Sequence, residues 1–238
     1  MAQNESTETV VQPEAAPEQR GPIVELNNVY LKTDRGDQIF RDLSLCLMPG
    51  RSAVITGPAG SGKSLLVELL IGARFAESGS VELFGHVLRR GKKGIIKRLR
   101  RKIGGVGGMF SLIPSYTVAE NITFPLILAG EKKRFRKERL MKMLTEFSLL
   151  KQAGEYPSSL TRVENMLVQF ARASIANQPL MVIDEPAAGL DSKTYKRVLD
   201  YLIKVAVSGR SMIIVTSERP KEDLPLTDYY QLVNRKLV

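Results

Sequence analysis

Strand-like and helix-like patterns of apolar residues alternate along this 238-residue chain. Ile23-Val24-Glu25-Leu26 and Val29-Tyr30-Leu31 carry β-like patterns, and Asp34-Arg35-Gly36-Asp37 predicts a turn. Residues 40–47 alternate imperfectly through Phe40, Leu43, Leu45 and Leu47 and predict a further strand. Met48-Pro49-Gly50 then turns the chain into Ser52-Ala53-Val54-Ile55-Thr56, a short apolar β-like run. Leu65-Leu66-Val67-Glu68-Leu69-Leu70-Ile71 is apolar nearly all round, the mark of a buried helix. A strand is expected between Gly79 and Gly85, and a basic helix over 95–101. Gly104-Gly105-Val106-Gly107-Gly108 is too rich in glycine to be expected rigid. Residues 118–128 mix apolar side chains with Pro125. Helical periodicity runs over 136–150 through Leu140, Met143, Leu144 and Phe147, and again over 166–175. Leu180-Met181-Val182-Ile183 is a continuous apolar run, which suits a central parallel strand buried on both faces. A helix over 195–207, a strand over 212–216 and a closing hairpin from Tyr230-Gln231-Leu232-Val233 to Lys236-Leu237-Val238 complete the pattern.

This alternation predicts an α/β fold with a mostly parallel sheet, flanking helices, right-handed crossovers and an antiparallel β part. Residues 89–160 interrupt it as an inserted helical lobe within one domain spanning 23–238. Residues 1–22 are polar, hold three prolines and predict a disordered tail.

With 43% apolar residues the chain can bury a core of ordinary size. Its apolar runs fall short of the roughly 18–20 residues that cross a bilayer, so membrane work requires a separate membrane subunit. The first residues lack a charged head and apolar segment, and no secretory signal is expected. The single cysteine, Cys46, excludes an internal disulfide and a cysteine-rich zinc site. Between Leu45 and Leu47 it is expected in the core, and a reducing, cytosolic location follows. The lone His86 is expected to be structural or on the surface. The net charge of +10 is uneven. Nine basic and no acidic residues lie between Arg89 and Lys102; seven basic residues, opposed only by Glu138, lie between Lys132 and Lys142. Such clusters favour anionic partners such as lipid headgroups, or they are plain solvated helix faces.

The residues that carry chemistry begin with Gly57-Pro58-Ala59-Gly60-Ser61-Gly62-Lys63-Ser64, which reads G-x-x-x-x-G-K-S, the phosphate-binding loop of P-loop NTPases. Glycines at 57, 60 and 62 let the backbone approach phosphate. Successive N–H groups then form an anion nest at a helix N-terminus. Lys63 adds a charge for the β- and γ-phosphates, and the Ser64 hydroxyl is a ligand for Mg²⁺. The expected ATP-binding set runs from Gly57 through Ser64 to Leu65, which opens the helix. Further along, Asp184 and Glu185 close the apolar strand at the sheet edge where the phosphate loop also lies. Asp184 is the second candidate Mg²⁺ ligand, and Glu185 the candidate general base for an attacking water.

Beyond the phosphate loop and Ile183-Asp184-Glu185-Pro186, several stretches match one family. They are Thr117-Val118-Ala119-Glu120-Asn121-Ile122, Phe124-Pro125-Leu126-Ile127-Leu128-Ala129-Gly130, Tyr156-Pro157-Ser158-Ser159-Leu160 and Ala188-Gly189-Leu190-Asp191. On these the chain resembles the ATP-binding subunits of ABC transporters, of the FtsE/LolD type, from Val24 to its last residue. The resemblance implies the ABC ATPase fold and a dimer, as a homodimer or with a second cassette. Each ATP would lie between one chain's phosphate loop and the other's L-S-G-G-Q element. It also implies a permease-like integral membrane partner, with this chain cytoplasmic and peripheral on the inner face of the inner membrane.

The sequence departs from that family at five places, one of them Leu167 at the arginine that follows the L-S-G-G-Q element. Leu160-Thr161-Arg162-Val163-Glu164 stands where the family has L-S-G-G-Q, and Arg162 and Val163 replace glycines. Gly108 stands at the family's Q-loop glutamine, Ser217 at its switch histidine, and Thr33 at the aromatic that stacks on adenine. The leading expectation is a cassette that binds Mg-ATP and hydrolyses it slowly to drive or regulate a membrane complex. A non-hydrolysing, ATP-dependent scaffold is the alternative. A soluble nucleic-acid-handling cassette is a weaker reading, because the basic clusters lack interleaved aromatics.

Overall fold

The computed structural model describes residues 21–33, 35–186 and 189–238. The expected N-terminal tail therefore lies outside the described residues up to residue 20, as do Asp34 of the expected turn and Ala188.

The strands are β1 (Val24–Lys32), β2 (Gln38–Leu47), β3 (Ser52–Thr56), β4 (Ser78–Leu83), β5 (His86–Val87), β6 (Ile103–Val106), β7 (Leu180–Asp184), β8 (Ser211–Thr216), β9 (Thr227–Val233) and β10 (Lys236–Leu237). The helices are α1 (Lys63–Leu70), α2 (Lys93–Arg100), α3 (Val118–Leu128), α4 (Lys133–Glu146), α5 (Arg162–Ser174) and α6 (Ser192–Val207). Four strands form an antiparallel sheet in the order β2-β1-β4-β5. Six form a second sheet in the order β10-β9-β3-β8-β7-β6, parallel from β9 to β6 and closed by the antiparallel β10. The expected α/β architecture, with its antiparallel part, is the one observed.

The continuous apolar runs reflect a sheet buried on both faces. Ala53, Ile55, Leu180, Val182, Ile213 and Val215 pack with α1 and the antiparallel sheet. The alternate residues Val54, Met181, Ile183, Met212 and Ile214 pack with α3, α5 and α6. This places β3 and β7 in the interior, so both carry their C-terminal ends to one rigid edge.

Two local expectations change. In β2, Asp42 takes φ 58°, which resets the alternation and explains its imperfection. The reset leaves Leu43, Leu45 and Leu47 inward and turns Cys46 outward, so Cys46 is exposed rather than in the core. The glycines at 104 and 105 lie in β6 and serve close packing. A Cβ on Gly104 would sit 2.3 Å from the Ala173 carbonyl oxygen in α5, and one on Gly105 would enter the Phe110 ring. Pro125 lies inside α3, whose first turn carries a capping box between Thr117 and Glu120. Asn121, fully buried in α3, ties the preceding loop by accepting from Ile113 N–H at 2.8 Å and donating to the carbonyls of Ile113, Tyr116 and Thr117. His86 is exposed, as expected.

Candidate functional site

At the end of β3 the chain passes into the glycine loop and then α1. Gly60 and Gly62 take φ of 78° and 103°, left-handed values that other residues adopt at a penalty. Gly62 is also sterically fixed: a Cβ there would lie 2.7 Å from Ile39 Cγ2 and 2.9 Å from the Phe40 ring. It is the N-cap of α1 and offers no side-chain acceptor, and the first turn holds no acidic residue. The opening amides of α1 therefore have no side-chain anion of their own, which leaves them available to phosphate. Lys63 is 8% exposed and donates to the carbonyls of Gly57 at 2.7 Å and Pro58 at 3.0 Å. Pro58, Ala59, Gly60 and Ser64 face solvent, Leu65 is half-buried, and the Ser61 hydroxyl is buried with no hydrogen-bond partner.

Strand β7 delivers Asp184 and then Glu185 beside this loop. Glu185 leaves the strand at φ 54°, with its N–H on the Val215 carbonyl at 2.8 Å. Both of its carboxylate oxygens are engaged. Ser217 donates its hydroxyl to Oε1 at 2.5 Å and its N–H to Oε2 at 3.1 Å. The Thr216 hydroxyl reaches Oε2 at 3.4 Å, and Lys63 Nζ lies 3.6 Å from Oε1. Burial raises the Asp184 carboxyl above the ordinary aspartate value, the Glu185 charge raises it further, and the Lys63 charge opposes both. Asp184 thus gains from a nearby cation, while Glu185 already has one. The expected phosphate loop and carboxylates meet at one edge, as their placement in β3 and β7 requires.

The positions that depart from the family pattern have definite structures. Thr161 is the N-cap of α5, and Glu164 folds back on it in a capping box. The Glu164 carboxylate accepts from Thr161 N–H at 2.8 Å and Thr161 Oγ1 at 2.8 Å, and Gln152 donates to its other oxygen at 2.8 Å. These bonds hold its carboxyl below the ordinary glutamate value, the Thr161 backbone contributing most. The start of α5 therefore carries its own anion, in contrast to the start of α1. Thr33 closes a turn by accepting from Asp37 N–H at 3.1 Å, and Phe40 is fully buried, so neither presents an aromatic face. Asp191 caps α6 by accepting from the amides of Lys193 and Thr194, each at 3.0 Å.

Two groups of contacts escaped the sequence. Ser217 was legible only as a missing histidine, and nothing in its neighbours announces a grip on Glu185. Gln169 and Arg172 of α5 hold the segment after β6. Gly107 N–H donates to Gln169 Oε1 at 2.7 Å, and the Arg172 guanidinium donates to the carbonyls of Ser111, at 3.0 Å, and Phe110. Burial lowers Arg172 to about 10. The spacing of Asn165, Gln169 and Arg172 on one helical stripe was the available signal.

Comparison with known proteins agrees with this geometry. The ABC transporter family model matches residues 40–188. The cell division ATP-binding protein FtsE of Streptococcus pneumoniae is 31% identical over 194 residues, covering 82% of this chain and 84% of that protein. The lipoprotein-releasing system ATP-binding protein LolD of Aquifex aeolicus is 35% identical, over 81% of this chain and 87% of that protein. Among solved structures, the dimeric ATP-binding cassette MJ0796 in a post-hydrolysis state bound to ADP and Pi superposes with a TM-score of 0.78. It is 26% identical and covers 90% of this chain and 96% of that one. By its matched domain, its relatives and its fold, this chain belongs to the ABC transporter family as one of its ATP-binding cassettes.

Proposed function

We propose that this cassette binds Mg-ATP and serves a bacterial inner-membrane ABC complex, hydrolysing ATP slowly to drive or regulate a permease-like partner. One observation carries the reading: an α1 N-terminus without an anion of its own lies beside Lys63, Asp184 and Glu185 at a single sheet edge. The residues suit a magnesium ion as well as a triphosphate. Ser64 offers an exposed hydroxyl, and Asp184 is a half-buried carboxylate whose charge is poorly compensated. Bound there, the ion would neutralise charge on the β- and γ-phosphates. The chain's own part is to fix the phosphates with the amides of residues 60–65 and with Lys63. Glu185 is the group available to orient a water or take its proton.

Slow turnover follows from two features. Glu185 is held at both oxygens, and the start of α5, facing a second cassette in the family arrangement, is closed by Glu164. The same two features favour the second reading, an ATP-dependent scaffold without turnover. No helix among the described residues is long and apolar enough to cross a membrane, which supports a separate membrane subunit. The exposed Lys93, Lys97, Arg98 and Arg101 on and beside α2, and Lys133, Arg134 and Lys137 on α4, support contact with anionic lipid.

Melting with and without Mg-ATP tests nucleotide binding, and phosphate release separates the two readings. At a nucleotide concentration about 100-fold above Kd, binding should stabilise the wild type by about 2.7 kcal/mol. Lys63→Ala should lose that gain. Equal melting temperatures for wild type with and without saturating Mg-ATP would defeat the proposal, and measurable but slow phosphate release would favour the enzyme over the scaffold.

A further inference from the structure

We propose that Gln169 is a positioning residue for Asp184, setting that carboxylate through the glycine segment that follows β6. The proposal rests on the reading of Asp184 as a magnesium ligand.

Gly107 is where α5 and β7 meet. It takes φ 113°, and a Cβ there would lie 2.6 Å from the Asp184 carbonyl oxygen and 2.7 Å from the Asp184 Cβ. The Gly107 backbone is therefore packed directly on Asp184, with no room for a side chain between them. The Gly107 N–H donates to Gln169 Oε1 at 2.7 Å, while its carbonyl accepts locally from Phe110 N–H at 2.9 Å. Gln169 is 9% exposed, and its remaining polar end is also satisfied, since Nε2 donates to Asn165 Oδ1 at 2.9 Å. A buried amide satisfied at both ends has one stable orientation, because turning it over would put donor against donor at Gly107.

One turn further along α5, Arg172 holds the carbonyls of Phe110 and Ser111. Residues 107–111 are thus held at both ends by one helix face. Gly104 is packed on the carbonyl of Ala173, which fixes the height of β6 against the same helix. The cavity of about 570 Å³ beside this arrangement is lined by Gly107, Gly108, Asn165, Gln169, Asp184 and Glu185. A group bound against Asp184 would have the segment held by Gln169 as its opposite wall. Outer partners of this kind orient a ligating carboxylate and commonly alter metal affinity by about 10- to 100-fold.

The test uses the full chain. Gln169→Leu keeps the volume and removes both hydrogen bonds, and Gln169→Glu keeps an acceptor for Gly107 N–H. Hydrogen exchange across residues 107–111 reads the grip without nucleotide. A magnesium titration of ATP binding, with ATP binding in EDTA as the folding control, reads its effect on Asp184. Gln169→Leu should exchange faster at 107–111 and need about tenfold more magnesium, with ATP binding in EDTA unchanged. Gln169→Glu, which keeps the acceptor for Gly107 N–H but loses the donor to Asn165, should exchange more slowly at 107–111 than Gln169→Leu. Should Gln169→Leu prove too unstable, Asn165→Leu frees only Nε2 and should shift both readouts the same way by a smaller amount.

Asp184→Asn separates the inference from the reading beneath it. If Asp184→Asn abolishes the magnesium dependence and Gln169→Leu, or Asn165→Leu in its place, leaves it at wild type, the inference fails and the reading stands. If Asp184→Asn keeps the magnesium dependence, both fail. Unchanged exchange at 107–111 in the leucine variant overturns the proposal on its own.

Discussion

The pairing of Glu185 with Lys63 sets a definite expectation for nucleotide affinity. The carboxylate lies 3.6 Å from the lysine proposed to serve phosphate. Glu185→Gln removes that competing charge and its repulsion of the incoming γ-phosphate. At that separation, with an effective dielectric constant of about 20, two unit charges interact by about 4–5 kcal/mol. Little of this survives as net competition. Glu185 is 34% exposed, and Lys63 keeps two carbonyl partners whatever Glu185 does. Allowing for solvent screening leaves about 1.5 kcal/mol, roughly tenfold in Kd. The amide also fits the local hydrogen bonds, because it can accept from Ser217 N–H and donate to the Ser217 hydroxyl. We therefore expect Glu185→Gln to bind a non-hydrolysable ATP analogue about tenfold more tightly than wild type. Titration calorimetry at fixed magnesium measures this directly, and using the analogue for both proteins keeps turnover out of the comparison. Most of the gain should persist when salt is raised, since Lys63 is nearly buried. Equal or weaker binding by Glu185→Gln would refute the view that this carboxylate competes with phosphate for Lys63.

Three further outcomes follow. Arg162→Gly with Val163→Gly, which restores the family's glycines at the start of α5, should raise steady-state phosphate release by roughly 10-fold or more if lost amide contacts limit the rate; no gain would move the cause to Gly108, Ser217 or the Glu185 contacts. The raised pKa of Asp184 means that the folded chain keeps this proton to a higher pH than the unfolded chain. Its stabilising contribution is full below the ordinary aspartate value and is lost as pH rises through the folded value. Without nucleotide, Asp184→Asn should therefore melt above wild type at neutral pH and lose that advantage in acid; a lower melting temperature at pH 7 would contradict the sign. Finally, the full chain should sediment with vesicles containing phosphatidylglycerol and be released by salt, with each basic residue near the surface worth about 1 kcal/mol at most; binding indifferent to lipid charge would remove the lipid contact from the proposal.

What the sequence revealed depended on how local each signal was. The phosphate loop and the apolar strand ending in Asp184 and Glu185 were legible because their chemistry requires particular residue types at fixed spacing. Cys46 was misplaced because its apolar neighbours suggested the core, whereas the alternation of Leu43, Leu45 and Leu47 puts it on the opposite face. The glycines before residue 108 were read as looseness, yet Gly104 and Gly105 are small because α5 and Phe110 press on them. Helices α4 and α5 begin three and four residues before their expected starts at 136 and 166. Their first turns are mostly polar or charged, with one apolar residue each, Phe135 and Val163, too few to show a period. The hold of Ser217 on Glu185 and of Gln169 on Gly107 joins residues 32 and 62 positions apart. Such contacts depend on how β8 and α5 are placed in space, which spacing along one element does not encode.

The pairing of β3 also bears on how the protein comes to exist. Its partners are β8 and β9, so residues 52–56 are matched to residues 212–216 and 227–231. During synthesis the strand that leads into the phosphate loop leaves the ribosome early. It then waits for more than 150 residues, at roughly 5–20 residues per second, before either neighbour is available. Until then its backbone donors and acceptors lack their sheet partners and its apolar side chains lack cover, the kind of segment that nascent chains hide in chaperones. Competence to bind nucleotide should thus arrive late and abruptly. A ribosome-bound chain arrested before Thr227 has emerged should not be retained on immobilised ATP, whereas one arrested beyond Val238 on a linker long enough to clear the exit tunnel should be.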